Sequence, residues 1–355
     1  MARIDTLGRL DSDTAMLRLR LQTLTRQLST GLRTEAPGDL APQLPRALQL
    51  RAEAARLDTY TTAIGEALGR TQVMQQALGR LTEIAREFGE KVAVKLLPPD
   101  PEAIPLIAEN ARQALIEVGH LLNTQHAGEY LFGGSDFANP PVPDPEGLPN
   151  SGFATQIAAA VSSLGGGNAA AVAAATRAAA MDDSPGVTPF SAFLSDPATG
   201  LVEPRRSLPA EDGTLVPYGI LANRNAAALS SGETTGSWIR DLLRGLASLA
   251  ALTPAQATLP QDFPQFAATI RDGLQSAIAA LADEAGALGL TEARLESIRD
   301  RHAAVQTTLQ TQLSDIQEVD LAEVLTRLQA TRTTLEASYA AISRIGSLTL
   351  TQFLI

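Results

Sequence analysis

A chain of 355 residues with 28 basic and 39 acidic side chains has a net charge of -11, and no basic run along it offers the surface that nucleic acid requires. It has no cysteine, which excludes disulfides, thiolate chemistry and cysteine-ligated metals. Aromatic residues are only 4% against 45% hydrophobic, so the apolar share is mostly Ala and Leu, the composition of a helix bundle.

From the start of the chain, Leu7, Leu10, Thr14, Leu17, Leu21, Leu24 and Leu28 recur at spacings of three and four, which predicts an amphipathic helix ending at Gly31. Charges are mixed into its first residues, so no cleaved signal peptide is expected. Prolines and a Pro-Gly pair make residues 34–45 a connector. A long helix over 45–95 follows, with Leu57, Tyr60, Ile64, Ala67, Thr71, Met74, Leu78, Leu81, Ala85, Phe88 and Val92 on one face. Leu97-Pro98-Pro99-Asp100-Pro101 stops it, and a third helix carries Ile104, Ile107, Ala111, Ala114, Val118 and Leu121 and closes near Ala127-Gly128.

After Ser135 the helical period vanishes, and residues 136–217 hold more than half of the 21 prolines. Asp212-Gly213 between short apolar runs predicts a hairpin, and an Ala-rich helix is expected around Ala158 to Ala180. The longest uncharged run, 151–176, is broken by Gly165-Gly166-Gly167 and too weakly apolar to span a membrane. Helical pattern resumes at Ser237 with Ile239, Leu242, Leu243 and Leu246, and again from Phe263 to Leu281.

The last sixty-odd residues contain two apolar seams. One runs Leu295, Ile298, His302, Val305, Leu309, Gln312, Ile316 and Val319; the other runs Leu321, Leu325, Leu328, Arg332, Leu335, Tyr339 and Ile342. Their phase slips between Asp315 and Asp320, which predicts a bend or a change of partner there. The fold expected is mainly α: an elongated long-helix bundle with terminal coiled-coil helices and a small inserted mixed α/β domain. Antiparallel return of the C-terminal helices along the N-terminal ones puts both termini at one tip. The expected partition is 1–38 and 315–355 for the two halves of an inner coiled-coil domain, 39–135 and 235–314 for the long-helix bundle, and 136–234 for the insert.

Chemistry-bearing patterns are absent. His120 and His126 are six apart on a predicted helix and do not share a face, His302 lies in a seam, and the glycine clusters lack the residues of a phosphate loop. No catalytic, cofactor-binding or metal-ligating residue is expected, and no cofactor. Two seams at the extreme ends of a chain form only a thin pair of helices when left alone. Leu17, Leu21, Leu24, Leu28, Leu321, Leu325, Leu328, Leu335, Tyr339 and Ile342 are therefore the candidate residues for packing between subunits of an assembly.

Leu24-Thr-Arg-Gln-Leu-Ser-Thr-Gly-Leu-Arg33 resembles the N-terminal motif of the bacterial flagellin family, and Ser314-Asp-Ile-Gln-Glu-Val-Asp320 resembles the matching motif near its C-terminus. Tyr130-Leu-Phe-Gly-Gly-Ser135, Asp320-Leu-Ala-Glu-Val-Leu-Thr-Arg-Leu328 and the ending Leu348-Thr-Leu-Thr-Gln-Phe-Leu354 are most similar to the members that join hook to filament. Glu35-Ala-Pro-Gly-Asp39-Leu-Ala-Pro42 departs from the Asp-Asp-Ala-Ala-Gly-like pattern usual after the first motif. The resemblance implies a non-enzymatic extracellular subunit of the flagellum, exported unfolded without a cleaved signal peptide. It also implies its partners: the first hook-associated protein on the hook side, flagellin on the filament side, copies of itself in a ring and an export chaperone, with no nucleic acid and no membrane. The alternatives are a filament subunit and a cytoplasmic coiled-coil adaptor.

Overall fold

The computed structural model describes residues 2–34 and 40–351, with side chains described over 11–34 and 40–344. The expectations for 35–39 and for the ending 352–354 lie outside the described residues. Helices dominate: α1 Ala2–Thr30, α2 Leu44–Lys95, α3 Ile104–Leu122, α4 Gly152–Ser162, α5 Ala169–Ala180, α6 Ala192–Ser195, α7 Trp238–Ala250, α8 Asp262–Gln317 and α9 Leu321–Thr351. Two antiparallel hairpins accompany them, β1 Gln125–His126 with β2 Glu129–Tyr130 and β3 Ser207–Glu211 with β4 Thr214–Pro217, together with short 3-10 turns at Leu148–Asn150 and Gln256–Thr258. Among the described residues, no helix is long and apolar enough to cross a membrane. The chain divides into two compact units, one of residues 1–59 and 301–355, the other of residues 60–300.

The second unit is organised by the regular apolar face of α2. From Ile64 to Val92 every residue of that face is buried, because an unbroken alternation of three and four keeps one stripe pointing inward over many turns. α3 returns beside it, burying Ile104, Ile107, Ala111, Ala114 and Val118, and Arg80 on α2 reaches Glu117 on α3 at 2.6 Å. α3 stops five residues before the expected Ala127. Asn123 leaves the helix to bond the backbone of Val142 in both directions, donating to its carbonyl at 2.7 Å and accepting from its N–H at 2.9 Å. Ala127 and Gly128, both with positive φ, then turn the β1–β2 hairpin.

The Ala-rich stretch is two helices rather than one. Gly165, Gly166 and Gly167 all adopt positive φ, which a helix cannot continue through, and Asp262 accepts from Gly167 N at 2.9 Å to hold the break. α4 and α5 pack on α7, and their apolar residues join the core of α2, α3, α7 and α8 around the fully buried Trp238, Phe132, Phe153, Phe263 and Phe266. The expected hairpin forms with its turn at Asp212-Gly213. It lays Leu208, Ala210 and Val216 on Ile64, Ala67, Leu68, Leu295 and Ile298, and Tyr60 donates to Asp212 at 2.7 Å.

Every residue of α7 from Trp238 to Leu249 is buried, so its polar side chains need internal partners. Arg240 donates to Asn223 O at 3.0 Å, Ala180 O at 2.9 Å and Asp183 Oδ1 at 2.7 Å. Glu284 on α8 is 1% exposed, and its Oε1 accepts from the successive amides of Ala226, Ala227 and Ala228. These contacts tie the segment before α7 to the long helices.

Candidate subunit-packing surface

Within the first unit, α1 packs against α9 in antiparallel fashion. The line that α1 turns inward is Thr14, Leu17, Leu21 and Leu24, with Thr14 and Leu24 buried and the two leucines between them half-buried. On α9 the inward line is Val324, Leu328, Thr331, Leu335 and Ser338, and only Val324 and Thr331 are buried. A hydroxyl at such a position is tolerated because it bonds its own helix: Thr14 Oγ1 donates to Asp11 O at 2.9 Å and Thr331 Oγ1 to Arg327 O at 2.7 Å.

Of the ten sequence-predicted packing residues, the structure turns Leu17, Leu21, Leu24, Leu328, Leu335 and Ile342 toward the interior of the pair. Leu28, Leu321, Leu325 and Tyr339 are exposed, at 37%, 50%, 44% and 40%. On α9 the exposed three lie with Arg332 at spacings of four and seven, a second stripe beside the inward one. α1 adds exposed Met16 and Leu19, which the spacing of its leucine seam leaves out. Arg18 lies over the Tyr339 ring, 5.3 Å from its centroid, and donates to its hydroxyl, so the tyrosine is held in place although its side chain is partly open to solvent.

Helix α1 ends at Gly31, whose φ of +71° is the left-handed conformation that closes a helix most readily without a Cβ. The next residues clasp the α8–α9 break. Arg33 N donates to Gln317 O at 2.8 Å, Val319 N donates to Gly31 O at 2.9 Å, and Arg33 Nε reaches Glu318 O at 2.9 Å. Leu32 and Glu318 thereby form an antiparallel bridge. Asp320 caps α9 by accepting from Ala322 N at 2.9 Å. The slip in heptad phase is thus a full interruption of the helix at 318–320, filled by backbone from the other end of the chain.

Residues 40–59 and 301–317 complete this unit. Ala47 and Leu57 on α2 are buried, as are His302, Leu309 and Ile316 on α8, and Arg46 donates to Gln312 at 3.3 Å. Val305, placed in the first seam by its spacing, is 40% exposed; the neighbouring Gln306 is half-buried in its stead, since the buried residues repeat every seven from His302.

Two family models match the chain. Residues 14–136 match the bacterial flagellin N-terminal helical region, and residues 272–354 match the bacterial flagellin C-terminal helical region, together more than half of the sequence. No curated protein matches it. Both partners of the clasp, Gly31–Arg33 and Gln317–Val319, fall within the matched segments, as do all ten candidate packing residues.

Proposed function

The chain belongs to the bacterial flagellin family, whose members are structural subunits of the extracellular flagellum, and from that premise we propose that it is a non-enzymatic subunit joining hook to filament. The observation that carries an assembly role is the open apolar stripe of the terminal helices. Leu321, Leu325 and Tyr339 on α9 and Met16, Leu19 and Leu28 on α1 face outward from a pair only two helices thick. Such a pair gains the burial it lacks when neighbouring copies lay their own stripes on it. Subunits arranged in a ring, with 1–38 and 315–355 as the inner coiled-coil layer, supply that cover.

The junction reading rests on Tyr130–Ser135. Phe132 is fully buried, its carbonyl accepts from Ala222 N at 2.9 Å, and Tyr130 N donates to Phe137 O at 3.0 Å. A Cβ at Gly133 meets Asp136 O at 2.6 Å, so close backbone approach requires a glycine there, and Gly134 has a φ of +68°, the left-handed conformation that favours glycine. The segment is therefore the anchor of the insert on α3, the feature in which this chain is most similar to the junction members. On this reading the hook side meets the first hook-associated protein, the filament side meets flagellin, and an export chaperone covers the terminal stripes before assembly. On the same reading the protein is exported from the cell.

Imaging of a labelled copy on intact flagella tests the proposal. A single band between hook and filament is the expected result, with the chain a trace component of sheared flagella. Label along the whole filament overturns the junction reading in favour of a filament subunit.

A further inference from the structure

Residues 229–236 run from the insert to α7 and bury no large apolar side chain; Leu229 is 89% exposed, and the rest are Ser, Gly, Glu and Thr. What holds them is polar. Glu233 Oε1 accepts from Arg244 Nη1 at 2.7 Å, and its other oxygen accepts from Arg177 Nη2. Thr235 N donates to Asp241 Oδ1 at 2.6 Å, Thr234 Oγ1 donates to Asp241 Oδ2, and Ser231 O accepts from Ser276 Oγ at 2.8 Å. Arg244 does not depend on Glu233 for its position. Arg244 is 5% exposed and also donates to Thr176 Oγ1 at 3.0 Å and Ala173 O at 2.7 Å, so it stays fixed to α5 when the carboxylate leaves. Arg177 Nε is buried without a hydrogen-bond partner, a donor still open to an acceptor.

We propose that residues 229–236 are a strap that opens independently of the rest of residues 60–300, with Glu233 standing in a two-arginine carboxylate site that a free carboxylate anion can fill in its place. The geometry favours this class of ligand because two guanidinium groups converge, one on each oxygen of a single carboxylate. No apolar burial opposes the opening, so segments held in this way belong to the low-stability end of a fold.

Glu233→Ala in the full chain, compared with the parent in acetate and in chloride at equal ionic strength, tests the proposal. In the parent, the Thr235 amide exchanges with solvent faster than the core amide of Leu246. In Glu233→Ala it exchanges faster again by at least about tenfold, with Leu246 unchanged. Acetate, but not chloride, restores slow exchange at Thr235 in this variant and raises its Tm. The parent and the double variant Glu233→Ala, Arg177→Ala show no acetate effect. Exchange of Thr235 and Leu246 at one common rate in the parent overturns the independent strap. Equal effects of acetate and chloride on Glu233→Ala overturn the carboxylate site. Should Glu233→Ala not fold, Glu233→Gln provides the same exchange comparison, and unchanged exchange at Thr235 there contradicts the proposal.

Discussion

The pairing of α1 with α9 and the bundle of residues 60–300 are both helical and both built on alternations of three and four, yet they bury very different shares of their apolar residues. In the bundle, the α2 face is covered continuously from Ile64 to Val92, and even the polar residues of α7 are enclosed with partners. In the terminal pair, two described residues on each helix are buried, and leucines and a tyrosine stand open beside them. The difference teaches that amphipathic period sets which residues face inward, while the number of neighbouring elements sets whether facing inward means burial. The bundle is complete by itself, and on the proposed reading the terminal pair acquires its missing neighbours from other copies.

The largest effect expected is in the bundle. Trp238→Ala removes a fully buried side chain and is expected to destabilise the protein by roughly 3–5 kcal/mol in chemical unfolding. Gly133→Ala follows at about 1–3 kcal/mol, because its Cβ has only 2.6 Å to the Asp136 carbonyl oxygen and backbone must shift. Acid acts on the bundle through a few paired carboxylates. Hydrogen bonds from Arg70 and then Arg206 hold the Glu129 carboxyl below its ordinary value of 4.5. Burial pushes Glu233 up, but Arg244 and Arg177 outweigh it and the net direction is down. Both folded values lie under the unfolded one, so their contribution is full above about pH 4.5 and is lost as pH falls through the folded values. Asp241, raised mainly by burial, opposes this because its protonation favours the fold. Glu129→Gln should therefore flatten the acid limb of a pH–stability curve for the bundle. The smallest effect on the monomer belongs to the open stripe. Leu321→Asp with Leu325→Asp should change its stability by no more than about 0.5 kcal/mol per site while abolishing attachment of filaments to hooks. A large loss of monomer stability there erases the contrast between the regions.

How much of this was legible in the sequence differs along the same lines. The α2 seam could be read residue by residue, because one uninterrupted stripe has no competitor on its helix. On α9 the leucines at 321, 325, 328 and 335 suggest one seam, but Val324, Thr331 and Ser338 complete the inward line and leave Leu321, Leu325 and Tyr339 outside. The expected seam and the inward line share Leu328 and Leu335, and spacing alone does not say which of the two the partner helix covers. The early end of α3 depends on Asn123 meeting Val142, and the buried Arg240 and Arg244 depend on α5 covering the polar face of α7. These are contacts between segments far apart in the chain, which no local period encodes. Of the clasp, the break near 318 announces itself by heptad phase; its filling by Gly31–Arg33 does not.

Amide hydrogen exchange along α1 and α9, measured on the isolated chain and again on the assembled flagellum, tests the central claim most directly. The expected result is fast exchange in both helices of the isolated chain, against slow exchange at Leu78 and Leu246 in the bundle, and strong protection of α1 and α9 after assembly. Protection of both helices in the isolated chain equal to that of the bundle, with no gain on assembly, contradicts it.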